Sequence, residues 1–302
     1  MASPGQWIEG ARLRTLPMAV APVIVGTAAA YDVDESLHWV RALMAAAVAL
    51  LLQIGVNYSN DYSDGIRGTD DARVGPLRLT ASGLAEPKHV KYAAFACFGL
   101  AALVGAALVV VSQAWPLLLV GAAAVFAAWG YTGGKNPYGY QGLGDIFVFL
   151  FFGLVATLGT TFTQVLQLTA PAWVGAISTG LIASALLMAN NVRDIPTDRV
   201  AGKRTLAVRL GDEWARATYV LMLAAALLLP LLLLAEHPWL MLVALIAPLC
   251  IAPSLTMMRA GHEENAARGA LIPVLKQTGV INLGYAGLFA VGMAITVVLR
   301  NS

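Results

Sequence analysis

The sequence predicts an all-α fold: a polytopic membrane bundle of nine transmembrane helices around a central cavity. Three observations carry that expectation. The chain of 302 residues is 59% hydrophobic with a mean hydropathy of +0.72. Only 12% of its residues are charged, about half the share usual in soluble domains. The apolar residues also fall into nine runs, most of them near the ~20-residue length that crosses a bilayer.

In chain order the runs are Leu16 to Tyr31, Trp39 to Asn60, His89 to Gln113, Trp115 to Tyr131, Leu143 to Gln164, Trp173 to Asn191, Ala215 to Ala235, Trp239 to Met258 and Leu275 to Leu299. The first is short and has Pro17 and Pro22, which a bundle accommodates by supplying other partners for the freed backbone groups. The eighth contains Pro248 and Pro253 and is expected to kink. Trp39, Trp115, Trp173 and Trp239 open their spans, where an amphipathic ring favours the water interface. The N-terminal MASPGQWIEGARLRTLP lacks a short apolar core followed by a small-residue cleavage site, so the first span is expected to be retained. No linker or low-complexity segment interrupts the chain, and residues 1–302 read as a single transmembrane domain.

The loops sort by charge. Arg12, Arg14, the bases from Arg67 to Lys91, Lys135, the group from Arg193 to Arg216, and Arg259, Arg268 and Lys276 account for 17 of the 19 Lys and Arg residues. All 17 flank alternate connections. By the positive-inside rule the N-terminus is expected to be cytoplasmic and the C-terminus outside, and the expected location is the cell (inner) membrane. A net charge of +2, spread this way, implies no nucleic-acid partner. Cys97 and Cys250 sit inside apolar runs without metal-ligand spacing and read as core residues.

Two polar clusters stand at the cytoplasmic ends of spans. NYSNDYSDGIRGTDD runs from Asn57 to Asp71, and NNVRDIPTD from Asn190 to Asp198. At 100° per residue Asn57, Asp61 and Asp64 share a stripe ~60° wide, and Asn190, Asp194 and Asp198 one ~80° wide. The Asn-to-Asp spacing of four recurs in both, as in two halves of one site. Carboxylates and amides supply only hard oxygen donors, which suits Mg2+ bound through a few carboxylates together with substrate phosphates.

Such a complex calls for bases, and Arg67, Arg193, Lys203 and Arg204 lie in or after the clusters, with Lys135 in the glycine-rich YTGGKNPYGY. Positive-inside signalling is the alternative role for Lys203, Arg204 and Arg209. TGGK lacks P-loop spacing, so ATP is not implied. Tyr131, Tyr138 and Tyr140 are candidates for touching a bound substrate, or for an interfacial belt. Arg12 and Arg14 could meet a substrate anion or set topology. Facing acids in a duplicated bundle also describe cation-coupled transporters, although here the acids lie at span ends among bases.

NYSNDYSD with the following GIRGTDD resembles the first aspartate-rich motif of the UbiA-type intramembrane prenyltransferases, and NVRDIPTD resembles their second. ARLRTLPMAVAPVIVGT, YTGGKNPYGYQGLGD and NNVRDIPTDRVAGKRTLAVRLG are similar to the branch acting on 1,4-dihydroxy-2-naphthoate. The resemblance implies a helical bundle capped by cytoplasmic loops. It also implies transfer of the chain of a polyprenyl diphosphate to the naphthoate ring with loss of the carboxylate. Other branches use benzoate or homogentisate acceptors. Asp61, Asp64, Asp194 and Asp198, with Asn57 and either Asn190 or Asn191, would hold the magnesium ions, and Lys135, Arg67 and Arg193 would balance the diphosphate. Gly65 stands where other members carry a third acid, leaving Asp64 or Asp70, with Asp71 beside it, to complete the first metal shell.

Overall fold

The computed structural model describes residues 2–68, 77–259 and 269–302, and within these every regular element is a helix. A short α1 (Pro4–Gly10) starts at Ser3, whose hydroxyl accepts from the Gln6 N–H while the Gln6 side chain accepts from the Ser3 N–H. That reciprocal pairing satisfies two donors that a helix start leaves open. The spans follow as α2 (Pro17–Asp34), α3 (Trp39–Gly65), α4 (Pro87–Ser112), α5 (Leu117–Gly130), α6 (Gly144–Val165) and α7 (Ala170–Val200). After a short α8 (Leu206–Leu210) come α9 (Asp212–Leu233), α10 (Pro238–Arg259) and α11 (Ile272–Arg300).

Seven of these are long and apolar enough to cross a membrane; with the shorter α5 and the eighteen-residue α2 they correspond to the nine expected spans. The kink expected in α10 takes the form of a change of helix type: Pro238–Ile246 is a 3-10 helix, and α-helical winding begins at Ala247. Pro253 then sits within the α-helical part. α6 departs from the plain helix its sequence suggests, because Phe149–Val155 winds as a π-helix. The wider turn accompanies close packing: a Cβ on Gly153 would stand 2.4 Å from Gly180 Cα of α7.

α7 is the central helix, with 67% of its most apolar window buried against 11% for α3. The main core joins α7 to α2, α9, α10 and α11 through Ile182, Met188, Tyr219, Ile246, Tyr285 and Phe289. α3 and α4 form a second layer around Tyr58 and Phe98. Between the layers lies a cavity, and both polar clusters stand at the same end of it. At the opposite end Asp32 accepts from Arg300 at 3.2 Å and pairs with His237 at 3.0 Å, tying the first span to the last. There too the Arg41 guanidinium donates to the carbonyls of Gln164 (2.9 Å) and Val111 (3.3 Å), closing the ends of α6 and α4.

Candidate active site

The cavity has a volume of about 660 Å³, and its charged lining residues all stand at one end. On α3 its lining runs from Asp64 back to Ala45, which at 1.5 Å per residue is ~28 Å, close to the full hydrocarbon depth of a bilayer. The polar end is built from Asn57, Asn60 and Asp64 of α3 and Asn190, Asn191, Asp194 and Asp198 of α7. Arg12, Arg78, Tyr140 and Lys203 join them from the connecting segments. Below it the wall is mostly Val, Leu, Ala, Gly and Phe from α3, α4, α5 and α6, with Thr160 and Thr163 of α6.

Asp64 is the centre of the polar contacts. Its Oδ1 accepts from the Tyr140 hydroxyl at 2.5 Å and from Lys203 Nζ at 3.3 Å, and its Oδ2 lies 4.0 Å from the Arg78 guanidinium. Lys203 also sits 4.5 Å from the centroid of the Tyr140 ring, an arrangement in which the ring's electron-rich face supports the ammonium. On α7, Arg193 grips Asp194 through both carboxylate oxygens (2.7 and 2.8 Å) and reaches Asn190 Oδ1 at 2.9 Å. The Lys203 N–H donates to the Asp198 carbonyl and the Arg204 N–H to the Tyr140 carbonyl, both at 2.8 Å, so the chain after α7 is stitched to the 138–141 turn.

The aromatic wall stands where the polar and apolar parts meet. Tyr138 stacks on Phe147 with centroids 4.0 Å apart and meets Tyr131 edge-on at 5.6 Å. Burial pushes the Tyr138 phenol above its ordinary value, so it stays protonated and donates to the Ala127 carbonyl at 2.8 Å.

Of the residues singled out in the sequence, Arg12, Asn57, Asp64, Tyr131, Tyr138, Tyr140, Asn190, Asn191, Asp194, Asp198 and Lys203 line the cavity. Asp61, Arg67, Lys135, Arg193 and Arg204 do not, and Asp70 and Asp71 lie outside the described residues. Asp61 is fully buried, but its two oxygens accept from the Leu79 and Thr80 N–H groups at 2.7 and 2.8 Å. The reason is angular. With Asn57 as origin, the lining residues Gln53, Asp64, Asn60 and Val56 fall at ~20° to ~100° on one side, and Asp61 falls ~40° on the other. The expected stripe is real, and the cavity takes one edge of it.

Arg67 is likewise turned to structure. It donates to the carbonyls of Ser63 (3.2 Å), Thr132 (2.6 Å) and Gly134, and lies over the Tyr140 ring at 5.4 Å. Lys135 and Arg204 are exposed. Asn57 divides its amide: its Nδ2 donates to the Ala11 carbonyl at 2.9 Å and Thr15 Oγ1 at 3.3 Å, fixing the segment before α2.

Sequence reasoning missed Asn60 and Arg78. Asn60 Oδ1 accepts from Thr132 Oγ1 at 2.8 Å, and it lies on the cavity side of the same stripe, where widening the angular window by one residue would have included it. Arg78 carried no signal beyond its charge, because only the Asp61 anchor on residues 79 and 80 brings it to Asp64.

The chain is 50% identical over 291 residues to the 1,4-dihydroxy-2-naphthoate octaprenyltransferase of Mycobacterium tuberculosis, covering 95% of this chain and 96% of that protein. It is 38% identical over 301 residues to the protein of the same name from Escherichia coli K12, covering 96% and 95%. The fold matches a UbiA homolog from Aeropyrum pernix K1 with a TM-score of 0.68 at 15% identity, covering 96% of this chain and 99% of that one. It also matches a UbiA homolog from Archaeoglobus fulgidus bound to DMAPP and Mg2+, with a TM-score of 0.66 at 17% identity and coverage of 97% and 99%. Residues 19–276 match the profile of the UbiA prenyltransferase family, and with these relatives spanning nearly its whole length, the chain belongs to that family.

Proposed function

We propose that this protein transfers the prenyl chain of a polyprenyl diphosphate to the ring of 1,4-dihydroxy-2-naphthoate, with loss of the ring carboxylate, yielding demethylmenaquinol and diphosphate. The observation that carries the reading is the division of one cavity into an oxygen-rich basin with cationic neighbours and a largely apolar corridor, the two together ~28 Å deep. A charged head and a long hydrocarbon tail need those two environments in that order. The relatives named for this activity, at 50% and 38% identity, supply the acceptor.

The donor set fits magnesium. Asp64 on one side, and Asp194 and Asp198 on the other, offer carboxylate oxygens with the amides of Asn57, Asn60, Asn190 and Asn191 between them. Among the described residues no three acids, histidines or cysteines converge on one point. Each side therefore contributes one or two carboxylates and leaves room for phosphate oxygens, the usual manner of Mg2+. When bound, the metal would supply Lewis-acid stabilisation of the departing diphosphate.

The chain's own groups do the remainder. Lys203 and Arg78, held at Asp64, present positive charge where the leaving group accumulates negative charge. Arg193 holds Asp194 in one orientation. The aromatic wall of Tyr131, Tyr138 and Phe147 gives a flat acceptor a face to lie against, beside the point where head and tail join. The apolar corridor keeps water from the allylic cation until the electron-rich ring attacks it.

The end of the bundle with the two clusters faces the cytoplasm in this reading, with the C-terminus outside, because 17 of the 19 Lys and Arg residues fall, in sequence, in or beside the alternate connections to which both clusters belong. The test is release of diphosphate by purified protein given prenyl diphosphate, magnesium and, in separate reactions, naphthoate, benzoate or homogentisate. Prenylated product from naphthoate is the expected outcome. Turnover confined to another acceptor would move the chain to a different branch, and no release with any acceptor would favour a carrier.

A further inference from the structure

The glycines of the bundle fall into two kinds. At Gly26, Gly55, Gly153, Gly175 and Gly180 an added Cβ would meet a neighbouring atom closer than 3.0 Å, so close helix packing accounts for them. Gly121 of α5 and Gly159 of α6 have no atom within 4 Å of that position, yet both line the cavity. Gly105 of α4 lines it too, and its Cβ would meet only Val48 Cγ2 at 3.7 Å, an ordinary contact. None of the three has a positive φ to explain it. Packing and backbone therefore leave these positions free to carry a side chain, and what a side chain would occupy is the lumen.

All three sit in the far half. Gly159 lies ~20 Å along α6 from Gly144 at the polar end, and Gly121 lies ~10 Å along α5 from Ala128. They come from three different helices facing one space, so a side chain on any of them narrows the same passage.

We propose that Gly105, Gly121 and Gly159 hold the far half of the corridor open for the distal isoprene units, and so set the longest prenyl chain the enzyme accepts. The inference rests on the prenyl-transfer reading above. A leucine at any of these positions takes volume from the tail and none from the basin where the diphosphate and the acceptor meet. Chains too short to reach the glycines would be used as before.

The experiment compares Gly159→Leu, Gly121→Leu and the wild type in turnover of geranyl diphosphate and octaprenyl diphosphate with naphthoate and magnesium. Gly99→Leu serves as control, since Gly99 is exposed, has open space at its Cβ and does not line the cavity. The expected result is a fall on the order of tenfold or more in kcat/KM for the octaprenyl substrate in both lumen variants, the scale of overfilling a packed space. Geranyl turnover should stay within about twofold of wild type, and the control should match wild type on both. Parallel losses with both chain lengths would make the glycines structural, and unchanged octaprenyl turnover would place the tail elsewhere; either overturns the proposal. Failure of the wild type with every prenyl diphosphate would instead strike the prenyl-transfer reading.

Discussion

Lys203 Nζ stands 3.3 Å from Asp64 Oδ1, joining the end of the first polar cluster to the segment that follows the second. Both side chains are nearly buried, at 11% and 5% exposure, so the pair is shielded from the solvent that makes surface ion pairs weak. Under the proposed prenyl-transfer function a diphosphate in the basin would offer Lys203 a stronger partner and would leave an oxygen of Asp64 available to hold a magnesium ion.

Lys203→Ala should accordingly lower kcat/KM for the prenyl diphosphate by about tenfold to a hundredfold, or ~1.4 to 2.8 kcal/mol. Combined with Asp64→Asn the loss should fall short of the product of the single losses, because the two groups share a partner. Steady-state kinetics of the four proteins measures it. Losses that multiply would mean that Lys203 and Asp64 act on separate events.

Asp61→Asn should behave differently from a ligand variant. The carboxylate holds the Leu79 and Thr80 N–H groups, and an amide can accept from one of them but presents an N–H to the other. An unsatisfied buried donor costs about 1–3 kcal/mol. The expected outcome is a lower Tm, with activity reduced through misplacement of the neighbouring Arg78, and no recovery as magnesium is raised. Wild-type stability with recovery at high magnesium would return Asp61 to the metal shell.

Orientation is tested by labelling. With Cys97 and Cys250 replaced, single cysteines at Lys135 and Arg204, both exposed at the polar end, should be inaccessible to an impermeant thiol reagent added outside intact cells. A cysteine at Gln113, exposed at the opposite end, should react. The reverse pattern would invert the topology.

These outcomes also mark what the sequence could disclose. Apolar run length and loop charge suffice for the spans, since both follow from the cost of burying backbone and charge in hydrocarbon. Period 3.6 finds the polar stripes because Asn57 and Asp64, or Asn190 and Asp194, must share a face to share a site. It cannot say where on the stripe the cavity ends, and ~40° of rotation separates Asn57, which lines it, from Asp61, which does not. Nor can it divide bases between ligand and scaffold: Arg67 and Lys203 read alike, yet one holds the carbonyls of the 132–134 loop and the other faces the cavity. The π-helical turn of α6 answers Gly153 meeting Gly180, a contact 27 residues apart that no local pattern encodes.

The sharpest prediction concerns one carboxylate from each cluster. Asp64→Asn and Asp194→Asn keep side-chain volume and remove a charge from opposite sides of the basin. Asp64 accepts from the side chains of Tyr140 and Lys203 and Asp194 from that of Arg193, whereas Asp61 holds two backbone N–H groups. Folding should therefore survive while the leaving group loses stabilisation. A loss of ~3 kcal/mol in the transition state is roughly a hundredfold in rate. If both carboxylates act through magnesium on the same diphosphate, the double variant should lose less than the product of the two single losses. Raising magnesium should partly restore each single variant by refilling a weakened site. Asp194→Asn carries a further consequence, for it breaks the close two-point contact with Arg193 (2.7 and 2.8 Å) and should cost some thermal stability, as Asp64→Asn should through the looser contacts with Lys203 at 3.3 Å and Arg78 at 4.0 Å. Turnover per folded protein against magnesium concentration, read beside Tm for the wild type, both single variants and the double, separates the two effects. Wild-type turnover at wild-type magnesium dependence in either single variant would remove that side of the basin from the chemistry.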